Sequence, residues 1–267
     1  MTVSEGIHPS AIVSPRARLG RDVRVGPLAI VEDGASLGDG CEVRSHATVR
    51  RGATLGAGNR VYEGAVIGGE PQDLSFREET ETGVVTGERN VFREGVTVHR
   101  STKPGQATRI GSDCFLMAYV HVAHDNRIGD RVIMANNVAL AGHVEIGDRA
   151  FLGGLVGVHQ FCRIGRLAMI GGASKVVQDC LPFVITDGRP ARARGLNVVG
   201  LRRAGFTAAQ LRALKEGYRL LARSGLPLAE ALERMAAVGD PLVDEMADFA
   251  RSANRGFAHA LRGSDEA

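Results

Sequence analysis

Histidines are the side chains of this sequence best suited to proton transfer, and most of them lie in one part of the chain. Five of the eight histidines fall between residues 99 and 159. An imidazole titrates near neutral pH, so it can accept and return a proton or bind a metal ion. Asp125 directly follows His124, and a carboxylate beside a histidine orients the ring and stabilises imidazolium. This pair is therefore a candidate general base.

A six-residue repeat determines where these histidines lie. Every sixth residue from Ile7 to Ile67 is aliphatic, and so is every sixth residue from Ile110 to Val176. At 44% hydrophobic content, chance would give these 23 matches with a probability on the order of 10⁻⁸. The fifth residue of the repeat is often small. This hexapeptide pattern is typical of a parallel β-helix, in which three repeats form one triangular coil.

Stacking of the coils predicts which residues are neighbours. Coils pair at about 4.8 Å, so residues i and i+18 lie above one another. The first and fifth residues of a repeat point inward, and the seven histidines within the repeats avoid both positions; we expect all seven to face outward. The 18-residue step places His124, Gly142 and Gln160 in one column, Asp125 and His143 in the next, and His159 on the other side. A neutral imidazole would thus lie beside an unobstructed glycine N–H.

This arrangement suits acyl transfer. The base would deprotonate a hydroxyl or amine of the acceptor, and the N–H of Gly142 would stabilise the developing oxyanion. The four cysteines are not candidate nucleophiles, because each occupies the inward fifth position and is predicted to be a reduced core residue: Cys41, Cys114, Cys162 and Cys180. Zinc binding by outward histidines of adjacent coils stays open as an alternative.

The rest of the sequence indicates two domains. Residues 71–85 and 103–109 do not fit the repeat and are predicted to loop out, and the repeat ends at Pro182. Apolar residues then recur at helical spacing from Thr207 onward. We predict a hexapeptide-repeat β-helix over residues 1–188, followed by a linker and a C-terminal α-helical domain over residues 189–267, with three amphipathic helices. The last of these is predicted to run from the Asp240–Pro241 start to about Leu261.

Charge and hydropathy exclude several classes of protein. A net charge of +3 is too small to predict nucleic-acid binding by itself. The longest apolar stretches are shorter than the roughly 18 residues that a membrane span needs. The N-terminus also lacks the charged and apolar regions of a secretory signal. We therefore predict a cytoplasmic protein with no transmembrane segment and no nucleic-acid partner.

Three motifs resemble those of the UDP-N-acetylglucosamine O-acyltransferases: HVAHDN at 121–126, LAGHVEIG at 140–147 and VHQFCRIG at 158–165. The resemblance runs from about Ile7 to Gly205 and more loosely through the helices. It implies a left-handed β-helix that forms a homotrimer with active sites between subunits. It also implies transfer of an (R)-3-hydroxyacyl group from acyl carrier protein to the 3-hydroxyl of UDP-N-acetylglucosamine, at the start of lipid A biosynthesis, without a cofactor or metal.

The resemblance also implies roles for individual residues. His124 would be the general base, Asp125 would orient it, and the N–H of Gly142 would polarise the thioester carbonyl. The implied substrate-binding residues are Asp73, His99, His121, His143, His159, Gln160, Gly172, Asn197, Arg202 and Arg203. Among them, Gly172 would set the acyl length, and its missing side chain implies a longer chain. Asn197 and the two arginines would contact the UDP end.

Some positions depart from the family pattern or leave the substrate open. Ser75 replaces a lysine, and Val199 and Ala204 replace an acidic and a basic residue, which affects the expected contacts with UDP. An N-acyltransferase acting on a 3-amino sugar is an alternative, and a zinc hexapeptide enzyme such as a γ-type carbonic anhydrase is another. A basic segment from Arg189 to Arg203, together with Arg163, Arg166 and Lys175, is predicted to dock the acidic carrier protein.

Overall fold

Residues 6–259 of the computed structural model form a three-sided β-helix followed by four helices. Each coil contributes one short strand to each of three parallel sheets. The hexapeptide repeat explains this, because each repeat supplies one strand and one corner. The second corner residue commonly lies near φ +60°, as Asp125 does at +61° and His143 at +59°. The predicted left-handed parallel β-helix with a C-terminal helical domain is confirmed.

The strands are short and belong to three sheets. The first sheet contains β1 (Ile12–Val13), β4 (Ile30–Val31), β7 (Thr48–Val49), β10 (Val66–Gly69), β13 (Thr97–His99), β16 (His121–Val122), β19 (Ala139–Leu140), β22 (Gly157–Val158) and β25 (Lys175–Val176). The second contains β2 (Arg18–Leu19), β5 (Ser36–Leu37), β8 (Ala53–Leu55), β11 (Gly83–Thr86), β14 (Ala107–Ile110), β17 (Arg127–Ile128), β20 (Glu145–Ile146) and β23 (Arg163–Ile164). The third contains β3 (Arg24–Val25), β6 (Glu42–Val43), β9 (Arg60–Val61), β12 (Val91–Phe92), β15 (Phe115–Leu116), β18 (Ile133–Met134), β21 (Phe151–Leu152), β24 (Met169–Ile170), β26 (Val184–Gly188) and β27 (Ala191–Leu196).

The core is a set of aliphatic columns inside the prism. Val122 pairs with Leu140, which pairs with Val158, and all three are buried. Because neighbouring coils repeat the same side-chain size at the same position, the interior packs in layers without aromatic rings at most levels. The four cysteines are buried and unpaired, as predicted, and burial raises the pKa of Cys114 to about 11.

Two inserted loops interrupt the coils, and each ends three residues earlier than predicted. The first inserted loop spans residues 70–82 and the second spans residues 100–106. The predicted loops at 71–85 and 103–109 wrongly included Gly83–Val85 and Ala107–Arg109. These two stretches pair with each other, Gly83 with Ala107 and Val85 with Arg109. The pairing extends β11 and β14 beyond the two residues that most repeats place in a strand.

The C-terminal region begins with a hairpin. Strands β26 and β27 are antiparallel and continue the third sheet, and the predicted domain boundary at 188/189 falls between them. Four helices follow: α1 (Val198–Arg203), α2 (Ala208–Ala222), α3 (Leu228–Ala236) and α4 (Pro241–Arg251). The helical pattern did not predict α1, which is only six residues long. The predicted α4 extended too far, because the helix ends where Ser252 forms its C-cap; the end of that predicted segment, residues 260 and 261, lies outside the described residues.

Helix α4 packs against the β-helix through two arginines that we expected to dock a carrier protein. Arg163 donates to Asp179 at 2.8 Å and to the Phe249 carbonyl at 3.0 Å. Arg166 donates two hydrogen bonds to Glu245, at 3.0 and 2.7 Å. Each charge is therefore already paired within the chain, and docking of a carrier protein at these two arginines stays a prediction. Among residues 6–259, no helix is long and apolar enough to cross a membrane.

Candidate active site

His124 and Asp125 form the corner between β16 and β17. Nδ1 of His124 lies 2.8 Å from Oδ2 of Asp125. The left-handed backbone at Asp125 turns its carboxylate back toward the preceding ring. With Nδ1–H donating to the carboxylate, Nε2 is free to accept a proton. The pair therefore has the geometry of an oriented general base.

Donors from the second inserted loop hold the Asp125 carboxylate. The Ser101 hydroxyl donates a short hydrogen bond to Oδ1, and Thr102 donates its hydroxyl to Oδ2 at 2.7 Å and its N–H at 3.2 Å. Burial opposes ionisation, but the hydrogen bonds from Ser101, Thr102 and His124 outweigh it and lower the pKa of Asp125 to about 2. The carboxylate is therefore charged at neutral pH and can stabilise imidazolium.

The repeat did not predict the positions of Ser101 and Thr102, because the second inserted loop changes the step between coils. Thr97 pairs with His121, 24 residues further on rather than 18. The two hydroxyls thus lie beside Asp125, a position that the simple period does not predict. The available signal was the length of the insertion itself, which lengthens this one coil by six residues.

Gly142 lies directly against the base, as the 18-residue step predicts. A Cβ atom at this position would be 2.5 Å from Cε1 and 2.7 Å from Nε2 of His124, so only glycine leaves room for the ring. Its N–H donates to no acceptor among the described residues. The aspartate-rich corners of the second sheet differ, since Asp148 accepts the corner N–H of Asp130 at 2.9 Å. The Gly142 N–H is therefore free to bind an oxyanion.

His143 occupies the column next to His124. Its Nε2 lies 3.7 Å from Oδ2 of Asp125, and Phe161 of the following coil stacks on the imidazole at a centroid distance of 4.7 Å. Burial lowers the pKa of His143, an effect that Asp125 opposes. Phe161 was missed, although it follows His143 by one 18-residue step. The ring fixes the imidazole in the wall of the site.

The donor atoms of His124, Asp125 and His143 lie within 4.8 Å of one another, which is close enough for a metal ion. However, hydrogen bonds already occupy Nδ1 of His124 and both carboxylate oxygens. Zinc would need to displace these partners to bind the carboxylate and Nδ1. The hydrogen bonding therefore favours a base–orienter pair over a zinc site.

His99 does not face solvent as predicted. The residue is only 8% exposed, because the ring of His121 packs edge-on against it at 4.7 Å and the backbone at Gly69 approaches its other side. These neighbours cover the ring. Burial, together with repulsion from His121 and His124, lowers the pKa of His99 to about 4. His121 in turn is held by a 2.7 Å hydrogen bond between its Nδ1 and the Thr97 hydroxyl.

A groove of about 580 Å³ runs along the first sheet beside the base. The residues that line it include Gln72, His121, His124, Ala139, Gly142, Gly157, His159, Gln160 and Lys175. Ala139 and Gly157 lie between His121 and Lys175 on the outward column of this sheet, and their small size leaves the floor of the groove open. Gln72 was missed, because nothing in the repeat predicts where an inserted loop returns.

Asp73 lies in the first inserted loop, next to Gln72. Its carboxylate accepts hydrogen bonds from the N–H and hydroxyl of Ser75, at 2.8 and 2.7 Å. These hydrogen bonds lower the pKa of Asp73; His124 acts in the same direction, whereas burial and Asp125 oppose it. Ser75, where the family pattern has lysine, thus contacts Asp73 in this chain.

The other predicted residues do not line this groove in the single chain: Gly172, Asn197, Arg202 and Arg203. Gly172 lies one coil beyond Gly154, whose carbonyl oxygen would be 3.4 Å from a Cβ at residue 172. Asn197 caps α1, since its side chain accepts from the Gly200 N–H at 3.1 Å and donates to the Leu167 carbonyl at 3.0 Å.

A parallel β-helix built from hexapeptide repeats, with a histidine–aspartate pair on its outer surface, is the architecture of the hexapeptide-repeat transferases. The family model "Bacterial transferase hexapeptide (six repeats)" matches residues 16–51 and 107–142. The second domain of "Udp N-acetylglucosamine O-acyltransferase" matches residues 179–258.

Full-length relatives identify the family. An acyl-[acyl-carrier-protein]–UDP-N-acetylglucosamine O-acyltransferase of Paraburkholderia xenovorans is 47% identical over 94% of this chain and 98% of its own length. The UDP-N-acetylglucosamine acyltransferase structure from Francisella novicida superposes with a TM-score of 0.93 at 34% identity, covering 96% of this chain and 95% of its own. The Moraxella catarrhalis O-acyltransferase gives 0.91 at 39% identity, over 95% and 99%. The chain belongs to the UDP-N-acetylglucosamine O-acyltransferase family.

Proposed function

We propose that the protein transfers an (R)-3-hydroxyacyl chain from acyl carrier protein to the 3-hydroxyl of UDP-N-acetylglucosamine, a step of lipid A biosynthesis. The observation that carries this proposal is the position of His124, with Asp125 behind it and Gly142 directly against it. Relatives of nearly equal length carry this activity in their names, which supports the same pair of substrates here.

The proposed mechanism uses the two groups of the site that have no partner within residues 6–259, Nε2 of His124 and the N–H of Gly142. Nε2 of His124 takes the proton of the sugar 3-hydroxyl while that oxygen attacks the thioester carbonyl carbon. The Gly142 N–H stabilises the resulting oxyanion, and Asp125 stabilises the imidazolium. Collapse of the tetrahedral intermediate breaks the carbon–sulfur bond, and the proton on His124 passes to the leaving thiolate. The step balances with these groups alone, so the mechanism we propose includes no cofactor or metal.

The substrates would occupy the groove and its continuation. His121, His143, His159 and Gln160 line or adjoin the space beside the base, and Asp73 follows Gln72, which lines the groove from the first inserted loop. These residues would contact the sugar and the acyl group, with His99 supporting them from behind His121. Arg202 and Arg203 are exposed and would bind the diphosphate, for which a guanidinium has suitable donors.

We further propose that the protein is a cytoplasmic homotrimer. An outward column of the third sheet is apolar and partly exposed in the single chain: Val91, Phe115, Ile133, Phe151 and Met169. A column of this kind along one face of a prism is suited to burial against a neighbouring copy. In a trimer, Gly172, Asn197 and the two arginines of one subunit would complete the groove of the next.

An acyl-transfer assay tests the proposal. The purified protein is incubated with UDP-N-acetylglucosamine or its 3-amino analogue and with 3-hydroxyacyl carrier proteins of several chain lengths. The expected product is the 3-O-acylated UDP-sugar. Transfer only to the amino analogue would replace the O-acyltransferase assignment with the N-acyltransferase alternative. Stoichiometric zinc whose removal abolishes activity would support the zinc alternative instead.

A further inference from the structure

We propose that Arg100 is a positioning residue that fixes the first inserted loop over His124. This inference rests on the proposed function, because the loop carries Gln72 and Asp73 to the groove where the substrates would bind. Arg100 opens the second inserted loop, directly after β13, so one inserted loop would hold the other in its working position.

The guanidinium of Arg100 hydrogen-bonds to the middle of the first inserted loop. Nη2 donates to the Glu78 carbonyl at 3.1 Å and Nη1 donates to the Thr80 carbonyl at 3.0 Å. The guanidinium also lies over the Phe76 ring, 4.8 Å from its centroid. Arg100 thus contacts three residues between 76 and 80. These contacts, which we call the Arg100 clamp, restrict the movement of this stretch.

Backbone hydrogen bonds from Arg100 and Ser101 fix both ends of the same loop. The Arg100 N–H donates to the Gly69 carbonyl at 2.8 Å, just before the loop begins, and the Ser101 N–H donates to the Gly83 carbonyl at 3.2 Å, just after it ends. Ser101 also holds Asp125 through its hydroxyl. The segment from Arg100 to Thr102 therefore contacts the loop on one side and the base on the other.

The burial of Arg100 is the feature that points to a positioning role. Its side chain is only 3% exposed, and the nearest carboxylate, on Glu70, is 3.9 Å away and 44% exposed. Desolvating a cation that is held mainly by carbonyl oxygens costs free energy, so stability alone does not account for the burial of Arg100. We infer that its burial instead fixes one conformation of the loop. Burial and repulsion from Arg51 lower the pKa of the guanidinium, which agrees with a site that has no full counter-charge.

The loop that Arg100 holds reaches the base. Gln72 lines the groove together with His124, and the pKa of Asp73 responds to His124. A loop of this length without its clamp would sample many conformations, which lowers the fraction of molecules ready to bind substrate. The clamp thus acts on substrate binding through the loop, without touching the reacting atoms.

The test compares Arg100→Met and Arg100→Lys with the matched control Arg51→Met. Arg51 donates to the same Glu78 carbonyl at 2.6 Å, but it is exposed, so water can replace it. Steady-state assays measure kcat and the KM of each substrate, and hydrogen exchange measures protection of residues 70–82. We expect Arg100→Met to raise the KM for UDP-N-acetylglucosamine by roughly tenfold or more, with kcat little changed and faster exchange confined to the loop.

Arg100→Lys should show a smaller rise in KM than Arg100→Met, because an ammonium keeps the charge and can replace one of the two hydrogen bonds but not both. Arg51→Met should match the wild type. Unchanged KM and unchanged loop exchange in both Arg100 variants would overturn the proposal. Faster exchange throughout the β-helix with a normal KM would also overturn it, since Arg100 would then be structural only. Wild-type protein inactive toward the UDP-sugar would refute the proposed function, whereas the exchange of residues 70–82 would still test the clamp.

Discussion

At the scale of single residues, the hydrogen bonds of Asp125 and His124 leave Nε2 of His124 as the free atom of the pair. Asp125 has no spare oxygen, since its two oxygens accept from Ser101, Thr102 and His124. His124 therefore keeps Nδ1 engaged and presents Nε2 to the groove. The Gly142 N–H is open because no residue caps that corner. In the described part of the chain, an imidazole with a free Nε2 and a backbone N–H without a partner thus lie side by side.

Ser101→Ala tests the support of the base. Removing the hydroxyl leaves a buried carboxylate with one donor fewer, so we expect the pKa of Asp125 to rise above about 2 and kcat to fall roughly tenfold. Carboxyl carbon NMR titration and steady-state kinetics measure the two effects. Ser112→Ala is the control, because Ser112 caps the Glu88 N–H at another corner. A raised pKa with a normal kcat would show that Ser101 does not support catalysis.

His99 makes stability depend on pH. Its folded-state pKa of about 4 is below the ordinary value of 6.5, so the unfolded chain binds its proton first as pH falls. The stabilisation is complete above pH 6.5 and is lost progressively down to about pH 4. A shift of this size corresponds to about 3 kcal/mol. We expect His99→Gln to flatten the plot of unfolding free energy against pH in that window; an equal slope in both proteins would contradict the assignment.

At the scale of coils and loops, the period accounts for much of the site. One 18-residue step places His124 against Gly142 and Phe161 against His143, and all of these residues lie in coils without insertions. Gln72, Ser101 and Arg100 could not be placed in this way. The path of an inserted loop depends on tertiary contacts such as the Arg100 clamp, and no local pattern encodes them. The predicted exposure of His99 was wrong because the repeat does not show which neighbours cover a side chain, here His121 and Gly69.

Gly172→Met tests the proposed limit on acyl length. Gly154 and Gly172 are one step apart, and a Cβ at residue 172 would already be 3.4 Å from the Gly154 oxygen. A longer side chain would therefore have to extend along the surface, where it would shorten any track for an acyl chain. We expect the preferred acyl carrier to shift toward shorter chains, measured by competition among carriers of different length. An unchanged preference with full activity would refute the role of Gly172.

At the scale of the whole molecule, the prism has chemically different faces. The first sheet carries the groove, whereas the third carries the apolar column that we propose as the contact between subunits. Helix α4 is fixed to the β-helix by Arg163, which donates to the Phe249 carbonyl, and by Arg166, which donates to Glu245. The C-terminal domain therefore has a defined position relative to the β-helix.

Phe151→Glu tests the assembly. A carboxylate in the middle of the apolar column would be buried without a partner on association, which is strongly unfavourable. We expect sedimentation to change from a trimer to a monomer, with loss of acyl transfer because the groove would be incomplete. Thr54→Glu on the exposed outward side of β8 is the control and should remain trimeric. A trimeric Phe151→Glu protein would place the interface elsewhere.

The central claim is that His124 removes the proton of the acceptor while Gly142 holds the oxyanion. The most direct test is the kcat of His124→Ala for acyl transfer, compared with His46→Ala, which removes an imidazole from a coil distant in sequence. We predict a fall in kcat of roughly 10²–10⁴ for His124→Ala, with an unchanged midpoint of unfolding, and a normal kcat for the control. A kcat within a few-fold of the wild type in the folded His124→Ala protein would contradict the claim.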